Sequence, residues 1–237
     1  MATTSSSKWS PPKNTRFRRR TLYVRHLLLS AFVVRRGPRL CSLGEKSTGC
    51  SWTFCPEGLG PESVIYSGGV GKDITFEHEL VKQFGCVVHL LDPSPTGLET
   101  MKLPENQIPP LRFFPLGLAG RCGTLRFAPP FYPEEGSWFS NNDAGGIEAE
   151  CVDVATLLKR NRHDHIDLLK LDIEGAEYDV IDHLLNARVP VRQILVEFHH
   201  GLLPGIRMRQ GIRATAKLMA RGYKMIAEES NNYTFLR

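Results

Sequence analysis

From residue 63 onward, short apolar runs alternate with stretches whose apolar residues recur every three or four positions, the pattern of strands followed by helices. Residues 64–66 read as a buried strand and 67–71 as a tight loop. A helix follows over 72–84, with apolar Ile74, Leu80, Val81 and Phe84. The pattern continues with a strand over 86–91, a short helix near 96–102 and a strand around 111–118. Residues 121–146 read as irregular, rich in proline, glycine and aromatics, with Trp138, Phe139, Asn141 and Asn142 near the centre. Loops of that length inside a domain are lids or binding loops, or else insertions. Asp153 then starts a helix to 162, 166–171 forms a central strand, and 176–185 another helix. A strand over 193–198, a helix near 206–221 and an antiparallel pair, 223–227 with 233–236, complete the chain. This order predicts a three-layer α/β sandwich with a mostly parallel sheet and an antiparallel C-terminal hairpin.

Two strand ends carry the chemistry. After the first strand come Ser67, Gly68, Gly69, Val70 and Gly71, where glycines permit unusual dihedrals and leave the backbone open to a ligand. The next strand ends in Asp92, about twenty residues beyond the glycines, where a carboxylate can accept both hydroxyls of a ribose. A dinucleotide is disfavoured, because counting G-x-G-x-x-G from Gly69 and Gly71 places Ile74 where the third glycine belongs.

The second strand end is the run 168–177, Leu-Leu-Lys-Leu-Asp-Ile-Glu-Gly-Ala-Glu, in which an apolar strand leads into carboxylates and a glycine. Ligands of open parallel sheets gather at the carboxyl edge, so Asp172 and Glu174 are site candidates. Glu174 could equally serve only the N-terminus of the following helix.

These residues resemble a class I S-adenosylmethionine-dependent methyltransferase of the FkbM type. Its signature, Lys-hydrophobic-Asp-hydrophobic-Glu-Gly-Ala-Glu at the end of the fourth strand, is filled at every position by 170–177. The likeness extends through Gly69 and Gly71, Asp92, and the strand 193–198 followed by His199 and His200. It covers about residues 63–237. The resemblance implies a Rossmann-like sandwich and S-adenosyl-L-methionine as cofactor. It also implies a methyltransferase, acting on the hydroxyl of a small molecule, sugar or natural product. The cofactor contacts it implies fall on Ser67, Gly69, Gly71, Asp73, Asp92 and Asp172. Two positions depart from the class: Ser67 stands where an acid is usual, and Asp73 where a third glycine is usual. These departures leave open a non-catalytic protein that keeps the fold and the cofactor pocket.

Transfer to a hydroxyl requires an aligned acceptor and a base for its proton. Asp172, Glu174, His199 and His200 are the catalytic candidates. Strand alternation sends the two histidines to opposite faces. His199, on the same strand face as Glu197, or else His200, is expected as base, with Asp172 and Glu174 orienting cofactor and acceptor. Both histidines could instead merely terminate the strand. Asp172, Glu174 and a histidine could ligate a divalent ion, but hard-cation sites usually assemble more carboxylates, and no metal is expected.

Charge divides the chain. Residues 1–44 hold ten basic residues and no acid, a formal +10, whereas the remainder is −5, giving +5 overall. The basic balance therefore belongs to the first 44 residues and is poor support for nucleic-acid binding by the domain. That segment reads as a disordered extension; its composition also resembles a transit peptide, and 27–34 resembles a weak signal-peptide core. Residues 45–62 read as a linker and 63–237 as the domain. No run reaches transmembrane length. The six cysteines form no C-x-x-C pair, a zinc site is not expected, and a reduced, cytoplasmic setting is. Arg209, Arg213 and Lys217 share a helix face, as a solvated surface or an attractor of an acidic substrate. The partner expected is a small-molecule or glycan acceptor.

Overall fold

The computed structural model describes residues 32–34, 37–130, 136–140, 146–199 and 208–237. A short antiparallel hairpin, β1 (Cys41–Leu43) and β2 (Trp52–Phe54), comes first. It corrects the expectation of a linker over 45–62. Trp52, Phe54 and Cys55 are fully buried, and Phe54 packs edge-on to Phe76 and Phe84. Apolar area of this size is removed from water only by a body already folded, so the segment belongs to the core. The expected extension 1–44 likewise overlaps β1, and Val34 N–H donates to the Met225 carbonyl.

The main sheet is built from β3 (Val64–Gly68), β4 (Val87–Leu91) and β5 (Leu111–Phe114), then, after an insertion, from later strands. Helix α1 (Thr75–Phe84) links β3 to β4. A short helix, α2 (Pro95–Thr100), capped by the Ser94 side chain on Gly97 N–H, follows β4. The predicted strand 111–118 divides at Pro115, which has no N–H to continue a ladder. Its second part, β6 (Gly117–Leu118), joins a separate four-stranded sheet with β7 (Gly123–Ala128), β8 (Phe139–Ser140) and β9 (Ile147–Val152), in the order β6-β9-β7-β8. The stretch read as irregular therefore contains paired strands. Their outer positions alternate charged residues, as in the Arg126–Glu148 ion pair, so no continuous apolar run announces them.

The chain returns through α3 (Val154–Asn161), whose N-cap Asp153 accepts from Thr156 N–H, to β10 (Ile166–Leu171). Helix α4 (Glu177–Asn186), β11 (Val191–Glu197), α5 (Met208–Ala220) and the hairpin β12 (Lys224–Glu229) and β13 (Asn232–Leu236) follow. The seven-stranded order is β12-β13-β11-β10-β3-β4-β5, with β13 antiparallel to both β11 and β12, and with β11, β10, β3, β4 and β5 parallel to one another.

Strand alternation sends Leu169, Leu171, Ile194 and Val196 to one face, against Leu157, Val180, Ile181, Leu184 and Leu218 of three helices. Ile65, Leu168, Leu195, Val88 and Leu90 face the other side, against Phe76, Leu80, Trp52 and Phe54. Two apolar layers on one sheet give the predicted Rossmann-like three-layer sandwich, with one layer made partly by the hairpin of β1 and β2. Among the described residues, no helix is long and apolar enough to cross a membrane.

Candidate active site

The glycine elbow forms because β3 must turn sharply where β10 ends beside it. Gly69 has φ 90, and a Cβ there would fall 1.9 Å from the Asp172 carbonyl oxygen. Its N–H donates to the Leu91 carbonyl at 2.9 Å, and Asp172 N–H donates to the Gly68 carbonyl at 3.0 Å. Three strand ends are thus laced together. Gly71 has φ 57, but a Cβ there would meet nothing within 4 Å, so this glycine faces open space.

Asp92 lies beside the elbow, as its spacing predicts, and most of its carboxylate is engaged with backbone. Oδ2 accepts from Val70 N–H at 2.9 Å and Gly71 N–H at 3.1 Å, while Oδ1 accepts from Ser94 N–H at 2.8 Å. Charged hydrogen bonds of this kind contribute about 1.5–3 kcal/mol each and fix the loop. Asp73 also has local partners: Thr48 Oγ donates to Oδ2 at 2.5 Å and Thr75 N–H to Oδ1 at 2.8 Å. It clamps segment 45–50 to the start of α1.

Ser67 is a correction. Its side chain is buried and points away from the cavity, donating to Glu77 Oε1 at 2.6 Å. Glu77, from α1, also pairs with Lys170 at 3.3 Å, and Lys170 donates to the Gly69 carbonyl at 2.9 Å. Burial works against the Lys170 charge, but Glu77 and Asp172 outweigh it and hold its pKa above the ordinary value.

At the end of β10, Asp172, Glu174 and His199 converge. Glu177, at the first turn of α4, is fully buried and accepts from Ile173 N–H at 3.2 Å and Gly175 N–H at 3.0 Å. It also faces His199 Nδ1 at 2.7 Å. The other ring nitrogen, Nε2, lies 3.2 Å from Glu174 Oε2 and 3.9 Å from Asp172 Oδ1. Glu174 adopts φ 51, a left-handed conformation costly to a residue with a Cβ, and Ser137 hydrogen-bonds its carboxyl.

The crowding of acids shifts their titration. Burial raises Glu174, partly offset by His199. Burial, then Asp172, pushes Glu197 up to about 8. Burial opposes charge on His199, yet Glu177 and Glu174 more than compensate, and its pKa lies well above the ordinary histidine value. An imidazole with carboxylates at both nitrogens keeps its proton, which counts against the expectation of His199 as general base. His200 lies outside the described residues, as do Asn141 and Asn142.

A cavity of about 1060 Å³ joins these groups. Gly69, Gly71, Asp73 and Asp92 line it together with Asp172, Glu174, Glu197 and His199. Trp138 and Phe139 of the insertion and Thr48 and Cys50 of the presumed linker also border it. Gly136 seats this part of the insertion against Lys72 and Thr96, where a Cβ would fall 2.9 Å from each. Sequence reasoning gave no role to Glu77, Lys170, Glu177 or Glu197. Lys170 and Glu177 were visible as motif positions and Glu197 by its strand face, whereas nothing in the sequence marked Glu77. Lys217 pairs with Asp182 across α5 and α4, so it is not part of a purely solvated face.

Residues 71–225 match the family model described as the methyltransferase FkbM domain. The chain belongs to that family. A comparison with curated proteins gives no significant match. One similar solved structure is a Streptococcus mutans protein described as a candidate methyltransferase in complex with SAH. It has 9% identity and a TM-score of 0.40, covering 75% of this chain and 88% of the other. Another is the fibrillarin pre-rRNA processing protein of Methanococcus jannaschii, with 12% identity and a TM-score of 0.39, covering 86% and 85%. Likenesses this distant carry no argument about substrate.

Proposed function

We propose that this chain binds S-adenosyl-L-methionine and transfers a methyl group to a hydroxyl of a small-molecule, sugar or natural-product acceptor. The observation that carries the proposal is the single cavity joining the glycine elbow and Asp92 to the cluster Asp172, Glu174, Glu197 and His199. At about 1060 Å³ it lies at the upper end of ordinary ligand pockets, about 300–1,000 Å³, and has room for a cofactor and an acceptor together.

When bound, the cofactor supplies an electrophilic methyl group on a sulfonium. The rest falls to the chain. Gly71 leaves the elbow backbone open to close approach. Asp92 Oδ1, which takes one backbone N–H, keeps acceptor capacity for a ribose hydroxyl. Asp73 borders the same end of the cavity, where a carboxylate favours an ammonium group. Asp172 and Glu174 border the acceptor end and take the hydroxyl proton, while Glu197, with its pKa pushed up to about 8, hydrogen-bonds with Asp172. His199, fixed by Glu177, orients the carboxylates. Trp138 and Phe139 exclude water from one wall.

The test is calorimetry with S-adenosylhomocysteine, followed by transfer of a labelled methyl to a panel of hydroxylated sugars and natural products. Heat of binding and label in an ether product support the proposal. Absence of heat overturns the cofactor assignment, and label in an amine product overturns O-methylation.

A further inference from the structure

We infer that Asp172, Glu174 and His199 form a binding site for one first-row divalent cation, of the manganese, iron or zinc type. The sequence offers Asp172, Glu174 and a histidine as an alternative to the expected absence of metal, and the fold brings His199 to that set with its ring already oriented. The inference uses the proposed methyl-transfer site only for the ion's purpose, since the binding itself is argued from the ligand set.

Three observations converge. The first is geometry: one ligand atom each from Asp172, Glu174 and His199 lie within 4.8 Å of one another at the wall of the cavity. Metal–ligand bonds of about 2.0–2.2 Å place neighbouring ligands about 3.0–3.5 Å apart. The observed separations from Nε2, 3.2 Å to Glu174 and 3.9 Å to Asp172, require only a small inward movement of Asp172. At 3.9 Å Asp172 makes no hydrogen bond to the ring; it also lies 4.0 Å from Lys170 and hydrogen-bonds with Glu197.

The second is the orientation of the histidine. Metal-bound imidazoles characteristically give their other nitrogen to a carboxylate, which fixes the ring. Glu177 has that relation to Nδ1 at 2.7 Å, and is itself held by the N–H groups of Ile173 and Gly175. His199 is buried and its Nε2 faces the cluster, so an ion bound there replaces the proton that this nitrogen carries in its absence, and that proton is released to solvent.

The third is charge. Asp172, Glu174 and Glu177 converge on one imidazole, and Lys170, 4.0 Å from Asp172, is shared with its buried partner Glu77. Carboxylates gathered on one ring at a half-buried wall favour a further cation among them. Two carboxylates and an imidazole leave open positions and suit a first-row transition ion better than magnesium or calcium, which prefer oxygen alone. Placed beside the acceptor, the ion would hold the hydroxyl oxygen in register.

The experiment uses the full chain freed of metal by chelation and titrated with Mn²⁺, with loss of the free-ion paramagnetic resonance signal as readout. One equivalent is expected to bind, with nitrogen hyperfine coupling from a coordinated imidazole in the bound spectrum. Glu174→Gln and His199→Gln should abolish binding, and Glu177→Gln should weaken it by about 10–100-fold. A Glu229→Gln control at the cavity rim should bind as wild type. Mn²⁺ remaining free, binding without nitrogen coupling, or unaltered binding by folded Glu174→Gln and His199→Gln would each overturn the inference. The nitrogen coupling needs no variant, so misfolding of a variant does not remove the test. Protein that binds S-adenosylhomocysteine but no Mn²⁺ refutes the metal alone. Protein that binds Mn²⁺ but no S-adenosylhomocysteine refutes the methyl-transfer proposal alone.

Discussion

Glu77 and Lys170 pair at 3.3 Å beneath the glycine elbow, both sealed from solvent, and Lys170 also holds the Gly69 carbonyl. The ring of Trp52 lies 5.6 Å from the ammonium. The signature lysine of the 170–177 run thus connects α1, β10, the elbow and the N-terminal hairpin.

Glu77→Ala leaves that ammonium buried without its principal counter-charge, a change that costs about 3–5 kcal/mol. Urea unfolding should show a lower midpoint with an unaltered slope. A midpoint equal to wild type would mean that Lys170 reaches water or another acid.

Trp52→Ala should destabilise by about 3–5 kcal/mol, the range for deleting a large buried aromatic, because Trp52 is 1% exposed. A residue in a true linker would change stability by a few tenths of that. Thermal unfolding of the variant decides between them.

The two elbow glycines should separate structure from ligand approach. Gly69→Ala collides with the Asp172 carbonyl and should yield little folded protein. Gly71→Ala finds open space and carries only the left-handed backbone cost of about 1–2 kcal/mol. It should fold, yet bind S-adenosylhomocysteine at least about tenfold more weakly by calorimetry, equivalent to about 1.4 kcal/mol. Unchanged affinity would place the cofactor away from the elbow.

Asp92→Asn replaces an acceptor of three backbone N–H groups by an amide with half the acceptor capacity. Amides of Val70 and Gly71 should then exchange with deuterium faster than in wild type. Protection that is unaltered would show the elbow to be held without Asp92.

His89 supplies a pH dependence independent of the site. Burial, reinforced by His163 and Arg112, depresses its pKa from 6.5 to about 4, against a hydrogen bond to the Ile65 carbonyl. The unfolded chain therefore binds the proton more readily. The stabilisation from keeping this ring neutral is fully present above pH 6.5 and is lost as pH falls toward 4. It amounts to at most about 3 kcal/mol. His89→Gln should flatten the slope of unfolding free energy against pH in that interval, and an unchanged slope would exclude His89 as its source.

Much of the fold was legible because burial leaves periodic traces. The strands at 166–171 and 64–68, and the helices α3 and α4, were found within a few residues, since each presents an apolar face to one sheet. The insertion was not legible: β7 and β9 expose alternate polar residues and are short in apolar content. The hairpin of β1 and β2 was missed because three-residue strands give too little pattern, although Trp52 and Phe54 were conspicuous large residues.

The sequence by itself determined the sandwich, the elbow of Gly69 and Gly71, the placement of Asp92, and the gathering of Asp172 and Glu174 at a strand end. Those depend on local periodicity and on motif spacing along one chain. Only the tertiary structure decided that Glu77 holds Ser67 and Lys170, that Glu177 fixes the ring of His199, and that Lys46, Thr48 and Cys50 wall the cavity. The physical reason is that charge compensation acts through space. A buried carboxylate is satisfied by whichever donor the packing brings within about 3 Å, and sequence separation places no limit on that choice.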